Sequence, residues 1–133
     1  MANFTISIES NFQELWRYNI VVMANVMRDG VQCEILKHCS EIAPVGAELK
    51  EAPADYNPER SIALTSNDAD ALTLYIYIIP HTLPKEQVVR LAQPFELNVK
   101  VKHGSHIAFK HRYMVNQWSG ENITASITAS ERR

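Results

Sequence analysis

Glycine is scarce in this chain, with 4 in 133 residues. There is no Gly-rich phosphate loop, and neither GxSxG nor HExxH occurs. Cysteine is scarcer still. Cys33 and Cys39 are too far apart for a CxxC pair, and in a reducing compartment they are expected as thiols, buried or half-buried. His38 adjoins Cys39, but neighbours on a strand face opposite ways, so the two make a poor base and nucleophile. An excess of positive charge is also missing. Thirteen basic residues stand against 15 acidic ones, a net charge of -2, with a pI near 6.2. A general nucleic-acid binder needs a basic face, so that class is not expected. A small local patch remains compatible with this balance.

Long apolar runs are absent too. The stretch Ile20–Met27 is broken by Asn25 and falls far short of the roughly 20 residues a bilayer span needs. No membrane span is expected. The opening MANFTISIES has no basic region followed by an apolar one, so no signal peptide is read and a cytoplasmic location is expected. On that reading the two N-x-T matches at Asn3 and Asn122 are chance.

What the chain does have is hydrophobic content, 46%. That is enough for one domain over residues 1–133 with a core that needs no disulfides. The pattern is period two. Phe4, Ile6 and Ile8 share a face. Asn19–Met27 reads as a long strand, and Asp29-Gly30 after it is a hairpin signal. As a two-residue loop it sets Met27 against Gln32, Val26 against Cys33 and Ala24 against Ile35. Residues 43–59 carry three prolines and read as loop, with a short strand at Val45–Lys50 as an option. Ser61–Thr65 reads as a strand, and Ala71–Ile79 is β-branched and aromatic throughout. Residues 84–92 suit one short helix opened by Pro84. Phe95–Lys102, Ile107–Val115 and Asn122–Ser130 complete about eight strands. The expected fold is all-β, an antiparallel β-sandwich of about eight strands with at most one short helix. A small β-barrel is the alternative.

Three of the five histidines fall in KVKHGSHIAFKHR, Lys100–Arg112. Taking His103-Gly104-Ser105 as a three-residue loop pairs Val99 with Phe109, Leu97 with His111 and Phe95 with Tyr113. It also sets Glu96 opposite Arg112, an oppositely charged pair. His103 and His106 then lie at the hairpin tip. His111 lies some 17 Å down the strand, on the core face or its border. One metal cannot bind all three, and no metal site, catalytic residue or cofactor is assigned. Asn67, Asp68 and Asp70 offer oxygens in one turn, with Asp55 and Glu59 upstream. Such a turn forms for backbone reasons alone, and a calcium site is only a secondary reading.

Aromatic residues with polar neighbours carry what functional signal there is. Trp118 lies in NQWSGEN with Asn116, Gln117, Glu121 and Asn122, a mix that suits either a sugar or a protein hot spot. Those five residues form the expected ligand-binding set, unless Trp118 simply caps the core. Tyr75 and Tyr77 share the second face of a central strand and form the expected interface. The expected function is therefore a non-catalytic interaction or assembly module, a homo-oligomer meeting a protein partner or a glycan. Carbohydrate binding is the second reading. A small hydrolase or metal-dependent enzyme is the third.

Overall fold

The computed structural model describes residues 2–12, 15–40, 43–49, 61–82 and 94–129. Eight strands run in the order β1 (Asn3–Glu9), β2 (Tyr18–Arg28), β3 (Val31–Ser40), β4 (Ser61–Asp68), β5 (Ala71–Pro80), β6 (Phe95–His103), β7 (His106–Val115) and β8 (Glu121–Thr128). A 3-10 turn, Leu15–Arg17, precedes β2. The proposed helix at 84–92 and the carboxylates Asp55 and Glu59 lie outside the described residues. Val45–Gly46 forms a turn, and residues 47–49 are irregular rather than strand.

Two four-stranded antiparallel sheets form, in the orders β4-β1-β6-β7 and β3-β2-β5-β8. They are separate layers and do not close into a barrel, so the sandwich holds and the barrel does not. The alternation decides which side chains meet between the layers. Phe4, Ile6 and Ile8 of β1 and Phe95, Leu97, Val99 and Val101 of β6 face Ile20, Val22, Ala24 and Val26 of β2 across one core. Leu72, Leu74, Ile76 and Ile78 of β5 add a stripe that is at most 1% exposed. A side chain of this size contributes about 1.5 to 3 kcal/mol when fully buried. β3 sits over β4 at one open edge. There the Asn67 amide donates to Glu34 Oε1 at 2.8 Å and ties the two sheets together.

Both hairpin registers differ from the sequence expectation, and they share one cause. In each, a bulge follows the turn. Arg28–Val31 and Met27–Gln32 pair as expected, but Val26 then meets Glu34 and Ala24 meets Leu36. Cys33 is the extra residue. It is exposed, and so is Cys39 on the outer face of this edge strand. Neither thiol is in the core. In the β6–β7 hairpin His103 pairs with His106, leaving a two-residue Gly104-Ser105 loop. Gly104 adopts a φ of 61°, which such a loop requires. Ala108 is the extra residue, and beyond it Val101 meets Phe109, Val99 meets His111 and Leu97 meets Tyr113. The faces match those expected, two residues out of step. Glu96 therefore stands opposite Met114 rather than Arg112. The Arg112 guanidinium still reaches Glu96 diagonally, at 3.9 Å.

Candidate functional site

The outer face of the β3-β2-β5-β8 sheet is built in rows across four strands. Cys39, Val21, Tyr77 and Asn122 form one row, and Lys37, Met23, Tyr75 and Thr124 the next. Ile35, Asn25, Thr73 and Ser126 make a third. The same alternation that sends Val22, Leu74 and Ile76 into the core sends these outward. Tyr75, Tyr77, Val21 and Met23 are half-buried by one another. Ile35, toward the edge, is 53% exposed. Within these three rows only Lys37 carries a full charge at neutral pH. The sheet thus brings the expected interface pair, Tyr75 and Tyr77, onto one surface with Asn122 from the expected ligand-binding set.

The rest of that set lies in the 116–120 turn, where the chain passes from β7 in one sheet to β8 in the other. Its polar groups are largely occupied by the fold. Asn116 Oδ1 accepts from the amides of Trp118 at 2.8 Å and Ser119 at 3.1 Å. Gln117 Oε1 accepts from Arg17 Nη2 at 2.6 Å, and the Tyr18 hydroxyl donates to the Gln117 carbonyl at 2.7 Å. Glu121 Oε1 accepts from the Asn122 amide at 3.2 Å. Trp118 is half-buried. Its indole N–H is sealed from solvent, with no acceptor among the described residues. The turn therefore offers ring surface but no indole donor.

Beneath this turn lies a polar cluster that sequence reasoning missed. Arg17 is 1% exposed, with its guanidinium over the rings of Phe12 and Tyr18 at 5.4 and 5.5 Å. His81, also 1% exposed, has both ring nitrogens engaged. A carbonyl can only accept, so Nε2 carries the proton and donates to Trp16 O at 2.7 Å. Nδ1 is hydrogen-bonded to the Thr82 hydroxyl at 2.8 Å. The Leu49 amide donates to that same Thr82 oxygen at 2.8 Å. These contacts engage both ring nitrogens, so this is a network that fixes the orientation of the buried His81 ring. Only the position of His81 just after the Pro80 strand end hinted at a fixed structural role.

The other histidines lie apart. His103 donates through Nε2 to Ala69 O at 2.8 Å and packs on Phe4, ring centroids 4.7 Å apart. His106 is exposed at the hairpin tip. His111 is exposed rather than at the core border, because β7 is an edge strand, and its ring meets Tyr113 edge-on at 4.3 Å. Tyr113 has a displaced titration. Burial pushes its phenol above the usual tyrosine value near 10. In the acidic turn, Asp70 Oδ2 accepts from the Asp29 amide at 2.9 Å, so it braces the β2–β3 hairpin. Among the described residues no three His, Cys, Asp or Glu side chains gather as metal ligands. Among them, too, no helix is long and apolar enough to cross a membrane.

No known family model matches this chain, and no curated protein does. Among solved structures, a DUF4425 family protein from Bacteroides ovatus is similar at a TM-score of 0.47 and 8% identity, over 94% of this chain and 91% of that one.

Proposed function

We propose that this chain is a non-catalytic assembly module that pairs with a second copy through the outer face of the β3-β2-β5-β8 sheet. The observation that carries this is the row structure of that face. Tyr75 and Tyr77 stand beside Met23 and Val21, Ile35 extends the patch, and a single lysine interrupts it. Aromatic residues and methionine are enriched at interface cores and full charges are depleted there. Tyrosine adds a large rigid area at low entropic cost. Four strands of eight or so residues, at about 4.8 Å between strands and 3.4 Å per residue, present roughly 500 Å² in projection. That approaches the roughly 800 Å² per partner of a standard interface, before any contribution from loops. Two such faces stack as sandwich sheets do, about 10 Å apart.

Sedimentation or light scattering across a concentration series tests this. The wild type should dimerise, and Met23→Glu should weaken the dimer about 30-fold or more, the scale of a lost hot spot. A wild type that stays monomeric throughout removes the reading. A separate detail supports a glycan as the second reading. Asn122 lies directly opposite Tyr77, beside a column of hydroxyls at Thr124, Ser126 and Thr128. An aromatic ring with adjacent amide and hydroxyl groups suits a sugar face. A glycan array on monomeric protein, repeated with Tyr77→Ala, separates the two.

A further inference from the structure

The opposite sheet has an outer face of another kind. An open groove of about 820 Å³ runs across β1, β6 and β7, with Ser7, Glu9, Asn98, Lys100, Lys110 and Arg112 on its floor. Register places these side chains in two rows. Ser7, Lys100 and Lys110 form one, and Glu9, Asn98 and Arg112 the other. The rows are two residues apart, about 7 Å along the strands.

From this arrangement we infer that the groove binds a small molecule carrying at least two phosphate groups. Lys100 stands directly opposite Lys110, and like charges in that position oppose each other. An anion between them converts that repulsion into two attractions. Arg112 in the next row adds a planar fork of donors, the geometry that suits phosphate oxygens. Its ion pair with Glu96 is long and solvent-exposed, so it releases the guanidinium at little cost. Ser7 and Asn98 supply neutral donors beside the cations.

Among the lining residues three cations stand against the carboxylate of Glu9, a balance of +2 (3 − 1), and Glu96 beside Arg112 brings the local balance to +1, although the whole chain is at -2. A cation stands in each row, so a ligand with more than one anionic group can engage both rows. Each phosphate monoester brings close to two negative charges and three acceptor oxygens. The volume falls in the usual range for small-molecule sites, roughly 300 to 1,000 Å³. His111 also lines the groove, with its ring packed on Tyr113, and no Phe, Tyr or Trp does. Single-stranded nucleic acids and bases bind on such rings, so a non-nucleotide polyphosphate is the class that fits.

The test uses inorganic tripolyphosphate, titrated calorimetrically into the full chain. The wild type should bind saturably at one site per chain. Lys110→Glu should lose about 10- to 100-fold in affinity, the scale of a lost charged contact. It should also melt no lower than the wild type, because it replaces the repulsion with Lys100 by an attraction. Arg28→Glu changes the net charge equally from the exposed β2–β3 hairpin of the other sheet and should lose less than about threefold. The assignment is overturned by an absence of saturable binding, or by equal losses in Arg28→Glu and Lys110→Glu. Tighter binding of a polyglutamate peptide would overturn it too, as would binding only to vesicles that carry a phosphorylated lipid headgroup.

Discussion

Gly120 packs against the carbonyl oxygen of Ile78 so closely that a Cβ on it would overlap that oxygen and press on the Pro80 ring. Its φ is +70° as well. The contact is where the 116–120 turn lies down on the end of β5, so this glycine seats the whole Trp118 turn. Gly30 provides an internal control. It has φ +78°, and a Cβ added there would meet nothing within 4 Å. Gly30→Ala should cost only the left-handed backbone penalty, about 1 to 2 kcal/mol. Gly120→Ala should cost about 3 kcal/mol or more, because the clash adds to the same penalty. Urea denaturation of the two variants decides it, and equal losses would contradict the close approach.

The half-buried Trp118 separates two roles that the sequence left joined. Trp118→Ala should lower stability by about 2 to 4 kcal/mol through lost packing. Trp118→Phe keeps most of the ring and removes a sealed N–H that has no acceptor among the described residues. It should fall within about 1 kcal/mol of the wild type, since an unsatisfied buried donor is itself unfavourable. If Trp118→Phe instead unfolds the domain, the indole nitrogen has a partner that this geometry lacks.

Gln117 accepts a charged hydrogen bond from buried Arg17. Gln117→Ala removes that acceptor and should cost about 1.5 to 3 kcal/mol. Gln117→Glu places a carboxylate at the same distance from the guanidinium and should restore most of the loss. Thermal melts of both variants at neutral pH read this directly. A Gln117→Glu variant as weak as Gln117→Ala would show that packing, not the bond, is what matters.

Alkaline stability should carry a Tyr113 signature. Its phenol titrates higher folded than unfolded, because burial disfavours the ionised form. Above pH about 10 the unfolded chain then gives up this proton more readily than the folded one, so stability falls as pH rises. Tyr113→Phe should flatten that part of the fall and leave neutral pH behaviour alone. Parallel denaturation curves at pH about 8 and 11 check it, and identical slopes would remove the effect.

The faces of the strands were legible because burial imposes a strict period of two. Leu72 to Ile78 and Phe95 to Val101 read correctly from alternation alone. Register was not legible, because alternation fixes which side a residue faces and not which partner it meets. A bulge at Cys33 and another at Ala108 each absorb one residue, and neither has a signature in composition. Of the candidate surface, only the shared face of Tyr75 and Tyr77 was legible. Tyr75, Tyr77 and Asn122 meet on one surface, although Asn122 lies 45 or more positions along the chain from either tyrosine. Arg17 and His81 were missed because a charged or titratable residue beside a turn normally reads as solvated, and only tertiary packing buries it.

The neighbours of β1 have a consequence for how the chain reaches this state. β1 lies between β4 and β6, and Ile6 pairs with Val101, 95 positions later. At synthesis rates of about 5 to 20 residues per second, Ile6 waits roughly 5 to 20 s before its partner exists. For that time Phe4, Ile6 and Ile8 form an apolar strand whose β6 neighbour has yet to be made. Pairing across such a separation also makes for slow folding once the partner is present. The nascent chain, more than the finished sandwich, is therefore where this protein is most open to aggregation and to chaperones.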